Sequence, residues 1–279
     1  MIWLLWAACT QTQLPTTRPA DACAAGAIPT GEPLAMRVKG GERGRGALAW
    51  FPSGPGPHDV VVNLHEFNAN PERQVAYSRW LAEAERINAI LVGPDGKVAT
   101  WNAGACCGKA MERDIDDVAY LDALVAKIDE VGCTSGRVLA TGIGAGAMMA
   151  HRWACESDVP DALVSVGGEL QRDLCLGTRP IPVLMLHGAQ DPWMPMDGSG
   201  GHAPTAHAVE QWRLRNHASP VEAPVRDGLV CRRWEGEAPV ELCVVDGMTD
   251  RWPGAPDSGT KVDGTALSVA WTHAAWDRP

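Results

Sequence analysis

The stretch Arg137-Val138-Leu139-Ala140-Thr141-Gly142-Ile143-Gly144-Ala145-Gly146-Ala147-Met148-Met149-Ala150-His151-Arg152-Trp153-Ala154 decides the fold. Its first five residues read as a buried strand, its last eight as a helix, and the glycines between them as a tight strand-turn-helix elbow. In the pattern Gly-x-Ser-x-Gly such an elbow displays a nucleophile at its apex. Here the apex is Gly144, so the scaffold of a nucleophilic enzyme stands without the atom that does the chemistry.

Outward from the elbow, short β-rich runs alternate with longer helical patterns. Strands are expected at Asp59 to Leu64, Ala89 to Val92, Asp161 to Val166, Ile181 to Leu186 and Val240 to Val245. Helices are expected from Pro71 to about Asn88, Asp114 to Glu130, Ala203 to Asn216 and Gly264 to Ala275. Asn70 and Pro71 supply a cap and a first-turn proline, while Asp116 and Asp117 complement the dipole of the second helix. The alternation predicts one α/β domain, a mostly parallel sheet with helices on both faces.

With 279 residues and 46% apolar content, the chain is long enough for a single large core. A net charge of −10 argues against a nucleic-acid or anionic-membrane surface. No internal repeat and no second apolar span is visible. The start, Met1-Ile2-Trp3-Leu4-Leu5-Trp6-Ala7-Ala8-Cys9, is similar to a bacterial lipoprotein signal with Cys9 as the acylated residue. On this reading residues 1–9 are the signal, residues 10–35 a flexible tether, and residues 36–279 the folded domain, exported as an envelope lipoprotein or extracellular protein. A lipid anchor is then the only membrane contact expected.

Beyond Cys9 stand Cys23, Cys106, Cys107, Cys133, Cys155, Cys175, Cys231 and Cys243, an even set that suggests disulfides. Their spacing fits no zinc pattern, and neither a metal nor a cofactor is expected. Cys133 and Cys155 bracket the elbow strand and helix and are the favoured pair.

Six ordered blocks carry a resemblance: Leu64-His65, Trp101-Asn102-Ala103-Gly104 with Cys106-Cys107-Gly108, Asp116-Asp117-Val118, Arg137 to Met149, Leu186 to Pro192, and Trp252-Pro253-Gly254. The chain resembles the secreted polyhydroxybutyrate depolymerase and feruloyl esterase family over roughly residues 60 to 276. That resemblance implies an α/β-hydrolase fold and carboxylic-ester cleavage by a Ser-Asp-His triad. Carried across, the serine position is Gly144, the acid is Asp191, and Asp250 stands where the base histidine is expected before Trp252-Pro253-Gly254. The oxyanion-hole positions are Glu66, in a His65-Glu66 pair where the family has His-Gly, and Ala145 through its backbone N–H.

Glycine has no nucleophile, and aspartate cannot relay protons as imidazole does near neutral pH. The expectation is therefore a catalytically inactive homologue whose cleft binds an ester, hydroxy-acid or saccharide ligand, or which presents a surface to a protein partner. His65, Trp101 and Trp252 are expected to line the pocket. A shared proton, a captured cation, Arg251 or His65 would balance Asp191 facing Asp250.

Two alternatives stay open. One is an active ester hydrolase with a displaced nucleophile, for which Ser165 and Ser199 are the nearest serines. The other is a dinucleotide-binding protein, since Gly142-x-Gly144-x-x-Ala147 followed by Glu169 imitates a nicotinamide fingerprint.

Overall fold

A computed structural model describes residues 32–38, 45–175, 177 and 179–278. The proposed signal, Cys9 and all but the end of the tether lie outside the described residues. β1 (Leu34–Val38) already belongs to the sheet.

Ten strands form one sheet. Its middle is parallel: β4 (Ile90–Pro94), β3 (His58–Leu64), β5 (Thr134–Ile143), β6 (Ala162–Val166), β7 (Val183–Gly188) and β10 (Val240–Val245) lie in that spatial order. Antiparallel strands extend both edges, β2 (Arg45–Trp50) and β1 on one side, β9 (Leu229–Glu235) and β8 (Ser219–Val221) on the other. The central strands are apolar at nearly every position because both of their faces are covered.

Two cores flank the sheet. On one face α4 (Asp117–Val131), α5 (Ala145–Glu156) and α6 (Thr205–Arg215) bury Leu121, Leu124, Ile128, Met148, Trp153 and Trp212. On the other, α1 (Pro71–Ser78), α2 (Trp80–Arg86) and α7 (Gly264–Trp276) bury Val75, Trp80, Val269 and Trp271. A short helix, α3 (Gly108–Glu112), precedes α4.

The single helix expected from Pro71 to Asn88 is two. Asn70 Oδ1 caps the first by accepting the Arg73 N–H at 2.9 Å. Arg79 then turns left-handed (φ 60°), ending α1 and redirecting the chain so that Trp80 packs fully buried. Ser78 loosens the same turn, its hydroxyl donating back to Gln74 O at 2.8 Å.

The favoured Cys133–Cys155 pair does not form. Cys155, in the last turn of α5, bonds Cys175, whose loop is held there by the Gly177 N–H donating to Cys155 O at 2.8 Å. Cys133 lies elsewhere, immediately before β5, where its carbonyl accepts the N–H of His58 at the start of β3 at 2.7 Å. It is disulfide-bonded too, outside the three bridges Cys106–Cys107, Cys155–Cys175 and Cys231–Cys243. Among the described residues no helix is long and apolar enough to cross a membrane.

Candidate functional site

The elbow forms where β5 runs into α5. Gly144 adopts φ 52° and ψ −118°, a backbone region that costs a residue with a Cβ about 1–3 kcal/mol and glycine little. Gly142 is fixed by close packing instead: a Cβ there would lie 2.7 Å from the Gly146 backbone and 2.8 Å from Leu64 O. The elbow thus keeps its flanking glycines for space, and its apex is glycine as well.

What fills the apex is Glu66, from the loop after β3. Its Oε1 accepts the Phe67 N–H at 2.6 Å and the Ala145 N–H at 3.1 Å. A Cβ on Gly144 would fall inside the van der Waals radii of the Glu66 carboxylate, overlapping Oε1, Oε2 and Cδ. The structure therefore brings Glu66, Gly144 and Ala145 together. One carboxylate occupies both the room for a nucleophilic side chain and the N–H, at a helix N-terminus, that would hold a developing oxyanion.

Burial pushes the Glu66 carboxyl up from its usual range, and the charges of Asp250 and Asp191 add to this, against the two N–H donors. Asp191 follows β7, and its Oδ1 accepts the Trp193 and Met194 N–H groups at 2.9 and 2.8 Å. Its Oδ2 is buried and has no hydrogen-bond partner among the described residues. Asp250 follows β10 and pairs with Arg251 (2.8 Å), which also reaches Asp257 (3.0 Å). Arg251 thus balances its own loop and not Asp191.

His65, Trp101 and Trp252 do not line an open pocket, because all three are fully buried. His65 Nδ1 donates to Glu66 O at 2.8 Å while Nε2 accepts the Gly96 N–H at 2.9 Å. This fixes a neutral ring, in keeping with a pKa lowered by burial. Trp101 Nε1 donates to His65 O at 2.9 Å, so the pair pins the Glu66 loop from behind. Trp252 Nε1 donates to Thr265 Oγ1 at 2.8 Å, tying the Asp250 loop to α7. The aromatic rings that do reach solvent are Phe67, 49% exposed, and Trp193, 72% exposed. Both adjoin the acidic positions in sequence, which was the available signal for them.

Neither serine rescues the nucleophile. Ser165 lies 3.0 Å from His151 Nε2, a pairing that imitates a catalytic dyad. Trp212 Nε1, a donor only, gives its hydrogen to His151 Nδ1 at 2.8 Å, so the ring proton sits on Nε2 and points at Ser165. Burial lowers this imidazole to about 3, and both residues are enclosed. Ser199 is exposed, and its backbone N–H donates to Asp197 Oδ1. The acid of the dinucleotide fingerprint, Glu169, is buried against His187 Nδ1 at 2.6 Å and accepts the Thr205 hydroxyl at 2.9 Å. The Ala145 N–H of that fingerprint is held by Glu66, which leaves the nicotinamide reading without its contacts.

No protein-family model matches this chain. It is 30% identical over 149 residues to feruloyl esterase C of Emericella nidulans, a match covering 51% of this chain and 52% of that protein. The chain thus spans about half the length of the curated relatives it matches first. Acetyl xylan esterase from Aspergillus awamori shares the fold with a TM-score of 0.60 at 13% identity, over 86% of this chain and 99% of its own. Esterase PE8 does so with a TM-score of 0.54 at 16% identity, over 81% and 97%. Sheet order, elbow and these likenesses make the protein a single-domain α/β-hydrolase fold. Within that class, about half of the chain is similar in sequence to feruloyl esterases.

Proposed function

We propose that this esterase-like chain does not hydrolyse esters and that the carboxyl edge of its sheet serves binding. The observation that carries this is the Glu66 carboxylate, seated over Gly144 and on the Ala145 N–H. An ester carbonyl entering the cleft would meet a negative charge where its oxyanion needs a donor, and no nucleophile at the apex. Asp250 in the base position adds a third obstacle. The three disulfides among the described residues support an oxidising compartment, and we place the protein outside the cytosol, with Cys9 as a candidate lipid anchor.

The test compares p-nitrophenyl acetate hydrolysis by the native chain and by the Glu66→Gly, Gly144→Ser, Asp250→His triple variant. The native chain is expected at the solvent background and the triple variant above it. Hydrolysis by the native chain that survives Glu66→Gln and Asp191→Asn would overturn the reading and return the search to a displaced nucleophile.

A further inference from the structure

Leu267, Ala270, Trp271, Ala274 and Ala275 stand at i, i+3, i+4, i+7 and i+8 along α7, the spacing of a stripe that faces one side of a helix. Trp271 is buried, and its Nε1 donates to Glu241 Oε2 of β10 at 2.9 Å. Alanine side chains are short, and a cavity of about 190 Å³ remains between this stripe and three arginines, Arg226, Arg233 and Arg278. At on the order of 30 Å³ per water, that is room for about six water molecules or one small organic molecule.

The three guanidinium groups outnumber their partners. Glu241, fully buried, accepts from Arg226 and Arg233. Glu235 accepts from Arg233 at 2.6 Å and from Arg278 at 2.5 and 3.0 Å. Hydrogen bonds from Arg278, and then from Arg233, hold the Glu235 carboxyl down at about 2, so it is ionised at neutral pH. Asp227 and Asp277, neighbours in sequence of Arg226 and Arg278, pair with none of the three among the described residues. Three positive charges thus share two negative ones. Arg226 Nη1 also reaches the sulfurs of Cys231 and Cys243 at 3.5 and 3.7 Å. The donors left over among the described residues are Arg226 Nε and Nη2, Arg233 Nη2 and Arg278 Nε. Each arginine side chain keeps accessible surface, 25% for Arg226, 16% for Arg233 and 39% for Arg278, so an entering ion can reach it.

We infer that this cavity between α7 and the arginines binds a small organic monocarboxylate. The carboxylate accepts from the spare guanidinium donors, in the forked geometry that suits arginine to a carboxyl group, and the apolar body lies against the alanines of α7. One surplus positive charge matches a monoanion. A dianion such as phosphate would be repelled by Glu235 and Glu241 and would leave the apolar wall uncovered. A metal ion fits less well: Cys231, Glu241 and Cys243 lie close enough together to hold one, but the two sulfurs are joined in a disulfide and the carboxylate is held by two guanidinium groups. The site is separate from the elbow, since Glu241 is the second residue of β10 and Asp250 lies past the other end of that strand. The inference is therefore independent of whether the chain hydrolyses esters.

Benzoate, benzyl alcohol and inorganic phosphate are titrated calorimetrically into the full chain at low ionic strength, where the attraction between guanidinium and carboxylate is least screened. Benzoate should bind at one site, about tenfold or more tighter than benzyl alcohol, the ratio that charge-assisted hydrogen bonds give, and phosphate should bind more weakly than benzoate. Two variants then assign the site. Arg278→Met removes the surplus charge at an accessible position and should weaken benzoate about tenfold. Ala274→Phe fills the space while keeping every charge, and should weaken benzoate by at least as much. Absence of benzoate binding, equal affinity for benzoate and benzyl alcohol, or phosphate bound as tightly as benzoate overturns the inference. Undiminished benzoate binding in either folded variant overturns it too, because the ligand then lies elsewhere. Should one variant fail to fold, the other decides.

Discussion

Gly144 and Glu66 are alternatives to a serine as a pair, since each makes the other possible. Glycine leaves the room that the carboxylate fills, and the carboxylate gives the Ala145 N–H an acceptor. Restoring serine alone should therefore fail. Gly144→Ser is expected to lose about 2–6 kcal/mol, about 1–3 from overlap with Glu66 and about 1–3 from backbone strain, and to show no esterase activity. In a Glu66→Gly background the loss should shrink to the strain alone, which urea denaturation of both variants checks. Glu66 also sets a pH dependence. Its folded-state pKa is raised, by burial first and then by Asp250 and Asp191, so the folded protein holds this proton more firmly than the unfolded chain. That contribution is complete below the unfolded value, about 4.3, and is lost as pH rises from there through the folded pKa. Glu66→Gln carries no charge to desolvate, so it should be more stable than the native chain at neutral pH and lose that advantage below about pH 4; denaturation across a pH series measures the difference. The elbow with glycine at its apex was legible in the sequence, because an apolar strand, a run of glycines and a helix pattern follow one another directly. The plug was not, since Glu66 meets Gly144 across a separation of 78 residues that no local pattern encodes. Trp101 and Trp252 were misplaced for a related reason: proximity in sequence to a site loop says nothing about which way an indole turns.

At the scale of elements, the sequence was most readable where a segment is apolar throughout or carries a cap. β10 falls on the expected residues, and α7 differs by a single residue at its end. The antiparallel strands β1, β2, β8 and β9 were missed because their alternating, half-exposed patterns resemble ordinary polar loops. Asp116 and Asp117 divide what was read as one role. Asp116 caps α4 by accepting the Ala119 N–H at 3.0 Å, whereas Asp117 is fully buried, accepts the Asn102 N–H at 2.6 Å and pairs with Arg45 of β2. Burial pushes the Asp117 carboxyl up, while Arg45 and the Asn102 N–H hold it down. The guanidinium also lies 3.7 Å above the Tyr120 ring, so one arginine fastens β2 to α4. Arg45→Met should cost about 3–5 kcal/mol, because it leaves a buried carboxylate unpaired. Adding Asp117→Asn should restore much of the loss, and a double-mutant cycle by chemical denaturation reads the coupling.

Over the whole molecule, the site is a property of the sheet's polarity. Glu66 follows β3, Gly144 follows β5, Asp191 follows β7 and Asp250 follows β10, and these strands are parallel, so four distant segments of chain deliver their loops to the same edge. Ligand sites in open α/β sheets lie at this carboxyl edge, so these four loops stand where such a fold places its site. The opposite end is held covalently: Cys155–Cys175 closes a separation of 20 residues, tying the end of α5 to the segment leading into β7. Cys231–Cys243, at a separation of 12, joins directly opposed residues of β9 and β10. Both constrain the unfolded chain more than they add contacts, and the longer loop should count for more. Cys155→Ala with Cys175→Ala is expected to lower stability by about 3 kcal/mol, and the pair Cys231→Ala with Cys243→Ala by about 0.5 kcal/mol less, from the logarithm of loop length. Denaturation of each variant beside the native chain, with and without reductant, checks both figures. A native chain that keeps its full stability in reductant would remove the disulfides from the account of the fold, and with them the strongest physical support for a location outside the cytosol.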